Sequence, residues 1–154
     1  MSAVEQLKKV PLFADLTSQE LERVAAICVE ESFERNVHIF EEGTPGDKFY
    51  IVSEGVVRIS KFVPGIGEEA LALLKPGNFF GEMSLMDDQP RSATAIAHES
   101  CKLLSISKAK FEEALFLDKE LAYTVLWGFI RTLNQRLRET NDKIKAFFAM
   151  AGRF

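Results

Sequence analysis

The chain has 154 residues, 47% of them hydrophobic and 27% charged, the make-up of one folded domain with its own core rather than of a disordered or fibrous chain. Its formal net charge of -4 gives the molecule as a whole no electrostatic reason to seek nucleic acid or an anionic membrane surface. It has no apolar run of membrane-spanning length, and MSAVEQLKKV lacks the apolar stretch of a secretory signal, so a cytoplasmic location is expected.

The first element is helical. DLTSQELERVAAICVEESF puts Leu16, Leu21, Val24, Ala25 and Cys28 near helical spacing, and Thr17 followed by Glu20 has the capping-box form. Residues 1–35 are therefore expected to form an N-terminal helical part, with LFADL as a hydrophobic turn ahead of the helix.

From Val37 the pattern changes to short apolar or alternating runs: VHIF, FYIVSEG, GVVRISKFV, EALALL, SATAIA and CKLLSI, separated by EEGTPGD, SEG, PGIGE and KPGN. Six or more strands at this spacing predict a closed or double-sheet β body over 36–107. PGIGE reads as a hairpin tip. Gly43, Gly46, Gly55 and Gly77 read as turn positions that need a positive φ or a close backbone approach, without chemistry of their own.

Residues 108–150 are expected to be helical. Leu126, Ile130, Leu133, Leu137, Thr140, Ile144 and Phe147 follow at steps of 4 and 3, a heptad seam broken in its hydrophobicity only by Thr140. Such a seam suits a long helix packed on its own domain or a parallel two-stranded coiled coil; the sustained 3.5-residue period favours the dimer. A polar residue inside it needs either a register role or a ligand. Residues 131–154 carry six Lys/Arg against two Asp/Glu, a basic tail that most simply marks a solvated helix face.

Little here suggests catalysis. Cys28 and Cys101 lack CxxC spacing and read as free, buried thiols, His38 and His98 are isolated, and the adjacent Asp87 and Asp88 need not face one substrate. Neither a metal nor a tightly held cofactor is expected, and the chain is read as a non-enzyme.

The distinctive stretch is GEMSLMDDQPRSATA, Gly81 to Ala95. A turn at Gly81 leading into a short helix near Glu82 exposes N–H groups to an anion, and Gly81 lets the backbone approach it. Pro90 holds the approach to Arg91, whose guanidinium can grip two phosphate oxygens. Ser92 and Ala93 are small enough to expose their own N–H groups, and Ser92 adds a hydroxyl. Glu82 repels phosphate but can accept from a sugar hydroxyl, so one Arg with one Glu suits a singly charged phosphate joined to a ribose, as in a cyclic monophosphate.

FGEMSLMDDQPRSATAIA resembles the phosphate-binding cassette of the cyclic nucleotide-binding domain family, and GDKFYIVSEGVVRI resembles its second signature. The resemblance covers essentially the whole chain and implies a mainly β fold, an eight-stranded β roll or jelly roll with helices at both ends, in a single domain over 1–154 with its cassette at 80–95. It also implies a ligand site of Gly81, Glu82, Met83, Ser84, Arg91, Ser92 and Ala93, with Glu82 on the ribose 2′-hydroxyl and Arg91 on an exocyclic phosphate oxygen. Ser92, where a threonine favours cyclic GMP, is similar to members that prefer cyclic AMP or accept both.

NQRLRETNDKI, Asn134 to Ile144, resembles the dimer helix of the bacterial catabolite activator protein group. This places Thr140 at the adenine amino group and Asn141 at the partner subunit's ligand. In that group the helix leads into a helix-turn-helix domain, which 1–154 does not contain, so direct nucleic-acid binding by this chain is not expected. The resemblance implies a regulatory sensor module with cyclic AMP or cyclic GMP as ligand, a homodimer and an unknown downstream effector. The alternative is the sensory half of a transcription regulator.

Overall fold

The computed structural model describes residues 2–152. Helix α1 (Ala3–Lys8) and a 3-10 turn (Pro11–Phe13) precede helix α2 (Ser18–Ala26). Both helices begin with reciprocal capping boxes, Ser2 with Glu5 and Thr17 with Glu20, which satisfy backbone donors that an open helix end would leave bare.

Eight strands follow in two antiparallel sheets. β1 (Cys28–Phe33), β8 (Cys101–Ser107), β3 (Lys48–Glu54) and β6 (Phe79–Phe80) lie side by side in one; β2 (His38–Phe40), β7 (Thr94–Ala97), β4 (Val57–Val63) and β5 (Gly67–Leu74) form the other. Between β6 and β7 sits the short helix α3 (Met83–Asp87), and the chain closes with α4 (Lys108–Leu117) and α5 (Lys119–Met150). The PGIGE tip joins β4 to β5 as expected.

The expected N-terminal helical part ends early. Helix α2 stops at Ala26, and Cys28–Phe33 pairs with β8 in register Cys28↔Ile106 to Phe33↔Cys101. CVEESF reads as helix because Glu30 and Glu31 continue the polar pattern of α2. The pairing with β8 decides instead, placing β1 at the edge of its sheet, where Glu31 meets Lys48 of β3 at 3.0 Å.

The sheet alternation builds two cores. Phe49 and Ile51 of β3, Phe79 of β6 and Leu104 and Ile106 of β8 face the helices, against Leu12, Phe13, Leu121, Val125 and Phe129. Their neighbours Tyr50, Val52, Phe80 and Leu103 face inward and meet Val57, Ala95 and Ala97 of the second sheet. Phe129 anchors α5 by packing edge-on against Phe79 and Phe49, at ring separations of 4.9 and 5.7 Å. One residue earlier the helix passes the Leu12 carbonyl so closely that a Cβ on Gly128 would lie 2.6 Å from its oxygen.

Beyond Phe129, every described residue of α5 is exposed except the half-buried Thr132 and Arg136. The heptad seam therefore does not pack on its own domain: Ile130, Leu137 and Phe147 are 50%, 57% and 67% exposed. No helix among the described residues is long and apolar enough to cross a membrane. Cys101 is buried and Cys28 half-buried, its thiol pushed up to about 12 by desolvation.

Candidate functional site

The cassette leaves β6 through Gly81, turns into α3 and returns through Pro90 and Arg91 to β7. Gly81 adopts φ 81°, the left-handed region that glycine favours. Glu82 is the N-cap of α3 without a side-chain cap, and Asp88 ends that helix in the left-handed conformation, its carboxylate paired with Lys108. The return strand is fixed by its backbone, with Gly43 N–H donating to Arg91 O and Arg91 N–H to Thr44 O, both at 2.8 Å.

Arg91 is only 5% exposed. Its Nη1 donates to Gly81 O and its Nη2 to Lys48 O, each at 2.7 Å, and its guanidinium lies 4.0 Å from the Phe40 ring centre. Nε is buried without a partner among the described residues. Burial holds the guanidinium below the ordinary arginine range, against the pull of Tyr50, Asp47 and Glu82. Both terminal nitrogens thus already spend donors on backbone carbonyls, and Nε remains an uncommitted donor.

Glu82 is 4% exposed. Its Oε1 accepts from Arg136 Nη1 of α5 at 3.2 Å, while Arg136 Nη2 donates to Phe79 O and the guanidinium lies 4.4 Å from the Phe79 ring centre. Ser84 and Ala93 are buried, whereas Met83 and Ser92 are exposed and joined by a Ser92 Oγ to Met83 Sδ contact of 3.6 Å. The cassette thus brings seven of the nine expected site residues into one short stretch of structure. Thr140 and Asn141 are exposed on α5, and Thr140 Oγ1 donates to Arg136 O at 2.9 Å, one turn back along the helix. A groove of about 900 Å3 between α2 and the α4–α5 corner, lined by Arg23, Lys110, Leu117 and Leu121 among others, contains none of these residues.

Arg136, Phe40 and the Lys48 carbonyl are additions to the expected set. The sequence carried one usable sign of Arg136, its place one turn before Thr140. The sharp point of the arrangement is chemical: a buried cation with a spare donor and a buried carboxylate sit on the same cassette, beside a helix start with no side-chain cap. That combination accommodates an anion attached to hydroxyl groups better than either a bare anion or a neutral apolar ligand.

A family model described as the cyclic nucleotide-binding domain matches residues 30–118, more than half of the chain. The chain belongs to the cyclic nucleotide-binding domain family. It is 36% identical over 135 residues to a cyclic AMP receptor protein of Thermus thermophilus, covering 88% of this chain and 61% of that protein. It is also 36% identical over 110 residues to a cAMP-dependent protein kinase regulatory subunit of Yarrowia lipolytica, covering 71% of this chain and 28% of that one. Among solved structures, the N-terminal domain of a transcriptional regulator from Streptomyces coelicolor superposes with a TM-score of 0.75 at 35% identity, covering 90% of this chain and 94% of that one. The chain thus spans less than two thirds of the two curated relatives, and the eight strands with a long final helix are the fold expected of the family.

The Glu82–Arg136 pair has a measurable pH signature. Desolvation raises the Glu82 carboxyl above the ordinary glutamate range; Arg136 opposes it most, followed by the Glu82 backbone and Arg91. A folded-state value above the unfolded one favours the protonated carboxyl on folding. The associated stability is full below the ordinary glutamate range and is lost as pH climbs from there through the raised value. Glu82→Gln should therefore gain on the wild type in melting temperature as pH rises across that window, and Arg136→Ala should lose more than the wild type because its strongest counter-cation is gone. Melting curves whose differences do not vary with pH would show that Glu82 ionises freely in the fold.

Proposed function

We propose that this family member binds a purine cyclic nucleotide, cyclic AMP ahead of cyclic GMP, and relays occupancy to helix α5 as a regulatory sensor rather than as an enzyme. The observation that carries the reading is that Glu82, buried on the cassette, is tied directly to Arg136 of the long helix. A ligand placing its phosphate at Arg91 and its ribose hydroxyl at Glu82 competes with Arg136 for the same carboxylate. Ligand binding at the cassette is then felt on α5 without a longer chain of contacts.

In this reading Arg91 Nε, the Ser92 hydroxyl and the first N–H groups of α3 hold the phosphate. Gly81, Met83, Ser84 and Ala93 shape the cradle, and Thr140 and Asn141, one turn beyond Arg136, meet the base. The ligand shifts α5 only by its differential affinity for the two helix positions, so it must touch both cassette and helix. The exposed seam of α5 supports a homodimer, and the names of the two relatives support a regulatory role.

The match to the N-terminal domain of a transcriptional regulator favours a second reading of the output, in which this chain is the sensory part of such a regulator. Both readings share the ligand site, and titration calorimetry tests it. Cyclic AMP is expected to bind at one site per chain and more tightly than cyclic GMP. Absence of binding heat and of competition with either nucleotide would refute the assignment.

A further inference from the structure

We propose that Gly46, in the turn between β2 and β3, is a positioning residue for Arg91, acting through the space its missing side chain leaves; the inference rests on Arg91 being the phosphate partner. Gly46 is not among the glycines with positive φ. Its requirement is therefore room rather than backbone conformation. A Cβ there would lie 2.6 Å from both Cζ and Nε of Arg91 and 2.8 Å from Ser84 Cβ of α3. The β2–β3 turn, the short helix and the guanidinium meet at this one point.

The remaining sides of the guanidinium are also occupied. The Phe40 ring lies 4.0 Å away, and Gly81 O and Lys48 O fix the orientation of the terminal nitrogens. The turn that carries Gly46 is held to the Arg91 backbone on both sides of a bracket, Gly43 N–H to Arg91 O and Arg91 N–H to Thr44 O. A methyl group at position 46 finds that backbone fixed, and the group freest to give way is the arginine head, at the end of a flexible side chain. Ser84 Cβ, close to the backbone of α3, must yield as well, and the site bears both shifts because Nε leaves the one position where it is desolvated and uncommitted. Phe40 contributes as well, by giving the guanidinium an aromatic surface to lie on.

The test is a double-mutant cycle with cyclic AMP as the probe. Gly46→Ala should weaken binding about tenfold or more, the effect of misplacing one charge-assisted hydrogen bond. In the Arg91→Lys background the same change should cost severalfold less, the non-additivity expected of two residues in contact. Phe40→Leu, which leaves the turn untouched, should weaken binding severalfold and show the same dependence on Arg91. Equal losses from Gly46→Ala in both backgrounds would make Gly46 merely structural and overturn the inference. The Arg91 Nε–H resonance, read by NMR without ligand, separates this from the functional reading. It should move in Gly46→Ala even if the wild type bound no cyclic nucleotide, and an unmoved resonance would overturn Gly46's role whatever the ligand.

Discussion

Arg91→Ala is expected to weaken cyclic AMP binding at least a hundredfold. Hydrogen bonds to charged groups contribute about 1.5–3 kcal/mol each, so losing the Nε–H donor together with the positive charge opposite a phosphate amounts to roughly 3 kcal/mol, and about 1.4 kcal/mol corresponds to each tenfold in affinity. The effect on stability has terms of both signs. Gly81 O and Lys48 O lose their donors and Phe40 its cation, while the fold is relieved of a cation that burial disfavours. The melting temperature should therefore move far less than the affinity. Arg91→Lys keeps the charge without the planar fork and should fall between the two. Titration of all three proteins, with melting curves beside it, checks the assignment; an alanine variant that binds as the wild type does would remove Arg91 from the site.

The β body and the cassette were legible in the sequence because their signals are local. Alternation, Gly/Pro punctuation and the order Gly-Glu, apolar turn, Pro-Arg, small residues all act within a few positions. Two strands escaped for opposite reasons. Cys28–Phe33 continues a helical polar pattern and becomes a strand only through its pairing with β8, while Phe79–Phe80 is two residues long and too short to show any period. Arg136 escaped because a charged residue on a long helix reads as a solvated face, and its partners, Glu82 and the Phe79 carbonyl, lie 54 and 57 positions away. Gly46 reads in the sequence as a turn glycine, which is correct as to place. What the sequence could not carry is that the space above it belongs to a side chain 45 residues later, since that depends on how two sheets and a short helix close on one another.

Ile130→Lys with Leu137→Lys should convert an α5-mediated dimer into a monomer, raising its dissociation constant about a thousandfold. The two positions are 50% and 57% exposed in the single chain, so each has about half of its burial still to gain in a coiled coil. Full burial of such a side chain is worth about 1.5–3 kcal/mol; half of that, over four side chains in the dimer, comes to roughly 4 kcal/mol, or nearly three factors of ten. Because both side chains project from the part of α5 beyond its anchor at Phe129, the β roll should remain folded. Thr140 on the same seam satisfies its hydroxyl with Arg136 O inside its own helix, so its polarity does not by itself oppose pairing. Sedimentation equilibrium over a range of protein concentrations reads the outcome. A wild type that stays monomeric throughout would sink the dimer. If the lysine variant is a monomer that keeps one cyclic AMP per chain at near wild-type affinity, then Arg91 and Glu82 sense the ligand within a single chain and pairing of α5 serves the output alone. A monomer with much weaker binding would instead mean that a second copy completes the base side of the site, which is where Asn141 would have to act.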